Sequence, residues 1–355
     1  MIRLKSIPED FEVSETIADS IYSRTPTRIH VYLLTKRNYT TQRAVSHIAR
    51  ALNLKPRSIR YAGTKDKTAL THQHITIEGA SREKVETLDL KDITLSFRGY
   101  ATDHLYLGCL IGNAFDILLR DLPSHVTLPF TERQTISVPN YFDAQRFSTA
   151  NHEIGLHIIR KEFDTAVCRI METDDDRKRE LGEYLKTYHN DFVGALRLIP
   201  KTILLMYVHA LQSKLFNDML SDRIRNSGVE TVEFPYHFSN ITVPRHPGNL
   251  PCIDRELPLI GYDSDLTREH EDMLENAGIT QRDFINRQLP ELTLEGGKRA
   301  TTVPATNIAL ERSASPDDNS RFDLRLKFSL PKGAYATIAI KTILAGILAT
   351  ERSDL

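Results

Sequence analysis

The stretch Ser58-Ile-Arg-Tyr-Ala-Gly-Thr-Lys-Asp-Lys-Thr-Ala-Leu-Thr-His-Gln-His-Ile-Thr-Ile-Glu78 reads as two short strands joined by a Gly-containing turn. Ile75 and Ile77 alternate with Thr76 and Glu78, the period-two pattern of a half-buried strand. The expected strands are Ser58–Ala62 and Thr71–Glu78, and the loop between them presents one carboxylate, Asp66, between Lys65 and Lys67. Loops carried on a rigid scaffold are where catalytic groups tend to sit. Flanking ammonium groups favour the ionised carboxylate, as a nucleophile or base requires. An isolated Asp in such a turn more often caps backbone amides, so loop chemistry alone leaves both roles open.

Outward from this unit, the first part of the chain reads as mixed α/β. Thr40 or Thr41 caps a helix in which Ala44, Ile48 and Leu52 recur at helical spacing, ended by Pro56. Further strands are expected at Ile93–Arg98 and Ala114–Arg120, and Phe322, Leu324, Leu326 and Phe328 alternate with Asp323, Arg325 and Lys327. A helix from about Tyr335 to Leu348 closes the chain. After a connector from Asp121 to Ile136, the middle turns helical: Glu153–Ile170, Asp176–Tyr188, Thr202–Asn226 and Leu266–Asn286. A Pro-rich irregular region spans Phe234–Pro258, and Gly296, Gly297 and Ser313–Ser320 read as a polar linker. The expected class is α+β: a mixed or antiparallel sheet core at residues 1–136 and 318–355, interrupted by a mostly helical insertion at 137–317.

The chain has 355 residues, 40% hydrophobic and 26% charged, which excludes global disorder. No apolar run approaches the roughly 18–20 residues of a membrane span, and the acidic-turning N-terminus lacks a signal core. Cys109, Cys168 and Cys252 lie far apart, too few for a disulfide framework or a cysteine zinc site. A cytoplasmic location is expected. Net charge is −1, yet Arg24 to Lys67 holds eleven Lys and Arg against the single acid Asp66. That segment therefore carries +10, and the rest of the chain −11. Such segregation is the footprint of a polyanion ligand, although most charge runs are only solvated faces.

Other signals are weaker. His72 and His74 share one face of their strand without an acidic or cysteine partner, so no metal is expected there. Asp174-Asp175-Asp176 lies at a helix start, where acids favour the dipole. No GxSxG, HExxH, GxGxxG or P-loop pattern is present.

Five segments in fixed order then match one family. They are Lys5-Ser-Ile-Pro-Glu-Asp-Phe-Glu-Val-Ser-Glu15, the loop Ala62–Gln73, Gly112-Asn-Ala-Phe115, Asn140-Tyr-Phe-Asp-Ala-Gln-Arg-Phe147 and Leu330-Pro-Lys-Gly-Ala-Tyr-Ala-Thr337. Together they resemble the TruD family of tRNA pseudouridine(13) synthases, and the middle of the chain is similar to archaeal members. The resemblance implies a pseudouridine synthase core with a TruD-type insertion. It places Asp66 on the catalytic aspartate, expected as nucleophile, with Lys5 as electrostatic support. Phe11, Asn113 and Tyr335 fall on substrate-contacting positions, and Phe115 on the aromatic that stacks against the target base. Arg37, Arg43, Lys65 and Lys67 are expected on the RNA backbone. The family's NYFGxQRFG reads NYFDAQRFS here, with Asp143 and Ser148 where glycines are usual.

The implied reaction breaks the N-glycosidic bond of a tRNA uridine, at position 13 in the D-arm region, and rejoins the base through carbon. It involves no redox change, so no metal or nucleotide cofactor is expected, and a monomer acting on tRNA suffices. Two rivals are a non-catalytic RNA-binding or chaperone protein on the same scaffold and an RNA glycosidase that releases the base. A binder needs no lone carboxylate in its most basic segment, and a glycosidase is told apart by product mass.

Overall fold

A computed structural model describes residues 2–130, 134–236, 239–250, 253–315 and 320–350. It divides into two compact units, one of Met1–Val138 with Val303–Leu355 and the other of Pro139–Thr302. The return to the first unit thus falls earlier than the 318 expected from sequence.

The first unit is built on an eleven-stranded mixed sheet. Its central order is Ile93–Ala101, Ile29–Arg37, Leu70–Glu78, Phe11–Ile17, Leu110–Pro123, Arg321–Pro331 and Thr302–Ala314. Ile59–Tyr61 pairs with Leu70–Glu78, which makes the opening stretch the antiparallel strand pair its pattern predicts. Phe11–Ile17 lies parallel to Leu70–Glu78 and antiparallel to Leu110–Pro123. This one strand therefore brings the N-terminal motif beside the Asp66 loop and the Gly112–Phe115 motif.

One face of the sheet is covered by the helix Thr41–Leu52, whose Ala44, Val45, Ile48, Ala49 and Leu52 pack on Tyr32, Leu34, Ile59, Ile75 and Ile77. Thr40 caps it by accepting from the Arg43 amide at 3.3 Å. The helix ends when Asn53 turns left-handed at φ 57°, before Pro56 is reached.

The sequence reading departs from this unit in several places. The strands Phe11–Ile17 and Ile29–Arg37 lie outside the expected set; the first has polar Glu12, Ser14 and Thr16 between its apolar residues, and the second has a short apolar run, Val31 to Leu34, flanked by His30 and by Thr35-Lys36-Arg37. Part of the expected linker is the strand Thr302–Ala314, which fully buries just Ala305 and Ile308, three residues apart, and so shows no alternation; residues 316–319 of that linker lie outside the described residues. The expected connector carries the end of Leu110–Pro123 and the strand Gln134–Pro139. The closing helix is two, Ala336–Ile343 and Ala345–Leu348.

The second unit centres on the helix Lys201–Arg225, which buries Leu204, Val208, Leu211, Leu215 and Met219. Gly155 lets Asn151–Ile159 approach it closely, because a Cβ there would lie 2.2 Å from the Tyr207 carbonyl oxygen. The expected helix Glu153–Ile170 is broken into Asn151–Ile159 and Phe163–Thr173, with Lys161 at φ 65° between them. Likewise, Leu266–Asn286 resolves into Arg268–Asn276 and a short turn at Gln281–Phe284. The region expected to be irregular contains the hairpin Thr231–Tyr236 with Ser239–Pro244, and Glu256–Leu259 pairs with Gly297–Ala300. Cys252 lies outside the described residues. Among the described residues no single helix is long and apolar enough to cross a membrane.

Candidate active site

The loop between Tyr61 and Leu70 is pinned from below. Ala62 and Ala69 are fully buried at its two ends. The buried Gln73 amide donates to the Gly63 carbonyl at 3.1 Å and accepts from the Thr41 hydroxyl at 2.8 Å. That hydroxyl in turn accepts from the Lys65 amide at 2.9 Å. Lys36 Nζ donates to the Asp66 carbonyl at 2.9 Å and to the Tyr39 carbonyl at 2.6 Å. The helix start, one strand and its neighbour thus fix the loop, and the Asp66 side chain is left 30% exposed.

Lys5 meets that carboxylate, with Nζ 3.0 Å from Asp66 Oδ2. The N-terminal segment is anchored by Asp10, a buried carboxylate gripped by Arg120 at 2.8 and 2.6 Å and also accepting from the Ile7 amide. The Lys5 ammonium also lies 3.9 Å from the centroid of the Phe11 ring. Phe11 meets Phe115 edge-on at 6.3 Å, and Phe115 stacks on Phe328 at 5.1 Å. The sheet register sets this row, since Val13, Phe115 and Phe328 are mutual partners across three strands.

One rung further, Glu15, Asn113 and Leu330 are partners. The Asn113 amide oxygen is enclosed and takes no hydrogen bond. Gly112 allows the strands to close here, because a Cβ would lie 2.4 Å from the Leu330 carbonyl oxygen. Glu15 is buried with Lys65 Nζ 2.6 Å away, and burial pushes its carboxyl up despite that ammonium. Tyr335, half-buried, precedes the helix Ala336–Ile343 at the end of the strand that carries Phe328 and Leu330. A reachable carboxylate, a cation on it, an aromatic cluster and an unpaired amide oxygen therefore share one region of the sheet.

The family model for tRNA pseudouridine synthase D (TruD) matches residues 1–181, 170–233 and 253–343. The chain belongs to the TruD family. A Thermococcus gammatolerans protein named a probable tRNA pseudouridine synthase D is 30% identical, with 96% of this chain and 94% of that protein aligned. One of the same name from Archaeoglobus fulgidus is 29% identical over the same shares. The crystal structure of a Methanosarcina mazei protein, itself described as a tRNA pseudouridine synthase D (TruD), superposes with a TM-score of 0.70. It covers 96% of this chain and 93% of its own at 23% identity, and so shows the fold.

Against the residues expected for a TruD site, the structure brings Asp66, Lys5, Phe11 and Phe115 into one chain of contacts, with Asn113 two residues before Phe115 on the same strand. Phe115 is only 9% exposed, so it is at least as much a core residue as a stacking surface. Arg43 and Lys67 are exposed. Arg37 is held by Glu9 at 2.5 Å. Lys65, expected on the RNA backbone, instead turns inward to Glu15, and its side chain is only 7% exposed. His72, read without an acidic partner, has Glu12 3.1 Å from Nε2.

The NYFDAQRFS segment also reads differently in three dimensions. Ser148 keeps a left-handed backbone at φ 46°, whereas Asp143 is extended at φ −83°, where any residue fits. Tyr141 and Phe142 are structural within the second unit. The Tyr141 hydroxyl donates to the Thr242 carbonyl, and Asn217 brackets the Phe142 backbone with two hydrogen bonds of 2.9 Å. Sequence reasoning missed Lys36, Thr41, Gln73 and Phe328. In the sequence Lys36 is one cation of the basic run, Thr41 a candidate helix cap, Gln73 the end of a family motif and Phe328 a member of an alternating strand, and none of these signals points to the loop.

Proposed function

We propose that this chain isomerises a uridine of tRNA, at position 13 in the D-arm region, to pseudouridine with Asp66 as its catalytic group. The observation that carries this reading is the Lys5–Asp66 pair at 3.0 Å beside Phe11, on a carboxylate left 30% exposed. In the reaction the N1–C1′ bond breaks, its electron pair leaving with the base. The Asp66 carboxylate either attacks C1′ or takes the proton of the neighbouring C2′. The base turns, C5 bonds to C1′, the C5 proton is lost and N1 gains one, so product and substrate have equal mass. Lys5 holds the carboxylate in place before attack and receives its charge again when it is released. The detached base needs a surface that excludes water and a group that keeps it oriented, roles that suit Phe115 and the Asn113 amide oxygen.

The target uridine must leave its stack to reach Asp66, at a cost of about a few kcal/mol. Phosphate contacts from the exposed cations Arg43, Arg50, Lys55, Arg57 and Arg60 can offset it. The test is to incubate purified protein, wild type and Asp66→Asn side by side, with unmodified tRNA transcript and to map carbodiimide-resistant adducts. Wild type is expected to modify position 13 and the variant to bind tRNA without modifying it. A modified product from Asp66→Asn would overturn the assignment of Asp66, and binding without product from either protein would leave an RNA-binding protein.

A further inference from the structure

The strand Ile29–Arg37 places one residue of the wrong chemistry on its covered face. Tyr32 and Leu34 point into the apolar cluster beneath the helix Thr41–Leu52, and Lys36 follows them at the same alternation with no exposed surface. Its neighbours across the two adjoining strands, Thr71 and Ile93, are uncharged. No carboxylate oxygen lies within 4.0 Å of its ammonium among the described residues. The two partners of Nζ are backbone carbonyls, those of Asp66 at 2.9 Å and Tyr39 at 2.6 Å.

A buried ammonium without an acid beside it opposes folding, and an apolar side chain of similar length would fill the space at lower cost. The charge therefore calls for a reason beyond packing. Gln73 holds Gly63 and Thr41 holds Lys65, but Lys36 holds Asp66 itself. Lys5 meets the same residue from its side-chain end.

We propose that Lys36 is a positioning residue for Asp66, its buried positive charge fixing the aspartate's main chain and supporting the negative charge that the carboxylate carries at the start and end of the reaction. Burial pushes Lys36 down to about 8, with the Asp66 charge opposing and the Lys65 charge adding to the fall. The inference rests on Asp66 being the reacting group.

The experiment measures single-turnover pseudouridine formation, tRNA affinity and thermal midpoint for wild type, Lys36→Met and Asp66→Asn. Lys36→Met is expected to lose about a hundredfold in rate, with tRNA affinity within about twofold and the fold retained. The wild-type rate is expected to fall on the alkaline side with a midpoint near 8, and the residual Lys36→Met rate to lack that limb. A Lys36→Met rate equal to wild type, or a wild-type rate flat between about pH 7 and 9, would overturn the inference. So would a limb that persists in the variant. If Lys36→Met fails to fold, the wild-type profile still decides. Full activity in Asp66→Asn would instead bring down the reading of the site itself, whatever Lys36 does.

Discussion

Lys5 reaches Asp66 from a backbone conformation that lysine rarely adopts. Its φ is 59°, in the left-handed region, and its ammonium stands 3.0 Å from the carboxylate. A non-glycine residue held there costs on the order of 1 kcal/mol, and it persists because the surroundings over-determine it. Arg120 on Asp10 and the pairing of Arg3 and Leu4 with Arg120 and Leu119 supply that constraint. The strain is the consequence of ending one strand, turning within a few residues, and still pointing a cation at the loop.

Both partners of this pair are partly exposed, so Lys5→Met should cost less than about 1 kcal/mol of stability. Its rate of pseudouridine formation should fall by about ten- to a hundredfold. Thermal unfolding and single-turnover kinetics on the same preparation separate the two. A large drop in melting temperature with an unchanged rate would make the pair structural.

Phe115 and Asn113 should differ in their effect on stability and agree in their effect on rate. Truncating Phe115 to Ala removes a buried ring stacked on Phe328 and should cost about 3 kcal/mol or more. The Asn113 amide oxygen has no partner to lose, so Asn113→Ala should leave the melting temperature within about 2 °C. Assayed at a temperature where both are folded, both should slow turnover by more than they weaken tRNA binding. Equal loss of rate and affinity in Asn113→Ala would count against its role in orienting the base.

The salt dependence of tRNA binding should sort the arginines by their protein partners. Arg43 and Arg50 are exposed, and neither has an acid within ion-pair distance among the described residues, so each replacement by Ala should flatten the log–log slope by about one. Arg37 already holds Glu9 and Arg28 holds Glu78, and their replacement should change the slope less. Filter binding across a salt series reads this directly, and equal effects from all four would mean that the Glu9 and Glu78 pairs open on binding.

Lys36 gives a pH dependence of stability with a definite sign. Its folded value of about 8 lies below its ordinary 10.5, so between them the unfolded chain holds a proton that the folded chain has released. Stability from this group is therefore lowest below about 8 and rises with pH up to the unfolded value. Relative to Lys36→Met, wild type should gain on the order of 2 kcal/mol between about pH 7.5 and 10 in denaturant titrations. A pH-independent difference would show that the ammonium is not destabilised by burial.

Much of the first unit was legible in the sequence where pattern is local. The helix Thr41–Leu52 announced itself by a cap and an apolar repeat, and the strand Arg321–Pro331 by strict alternation. Thr302–Ala314 did not, because its two fully buried residues, Ala305 and Ile308, stand three apart and no alternation is imposed. Asp66 stood out as the lone acid in a basic run, a property of composition that needs no coordinates.

Composition could not say where those bases point. Eleven cations looked alike along the chain, but folding sends Lys36 into the core, Lys65 to Glu15 and Arg37 to Glu9, while Arg43, Arg50, Arg57 and Arg60 remain outside. Nor could it join Lys5 to Asp66 across 61 residues of chain. Sequence alone determined the motifs, the lone acid Asp66 within its basic run and the periodic elements, since these follow from neighbours along the chain. Only the tertiary structure decided which cations lie against Asp66, Lys5 at its carboxylate and Lys36 at its carbonyl. The order of strands in the sheet, placing Phe11–Ile17 between Leu70–Glu78 and Leu110–Pro123, is a long-range choice that buries one face and brings distant residues within hydrogen-bond reach.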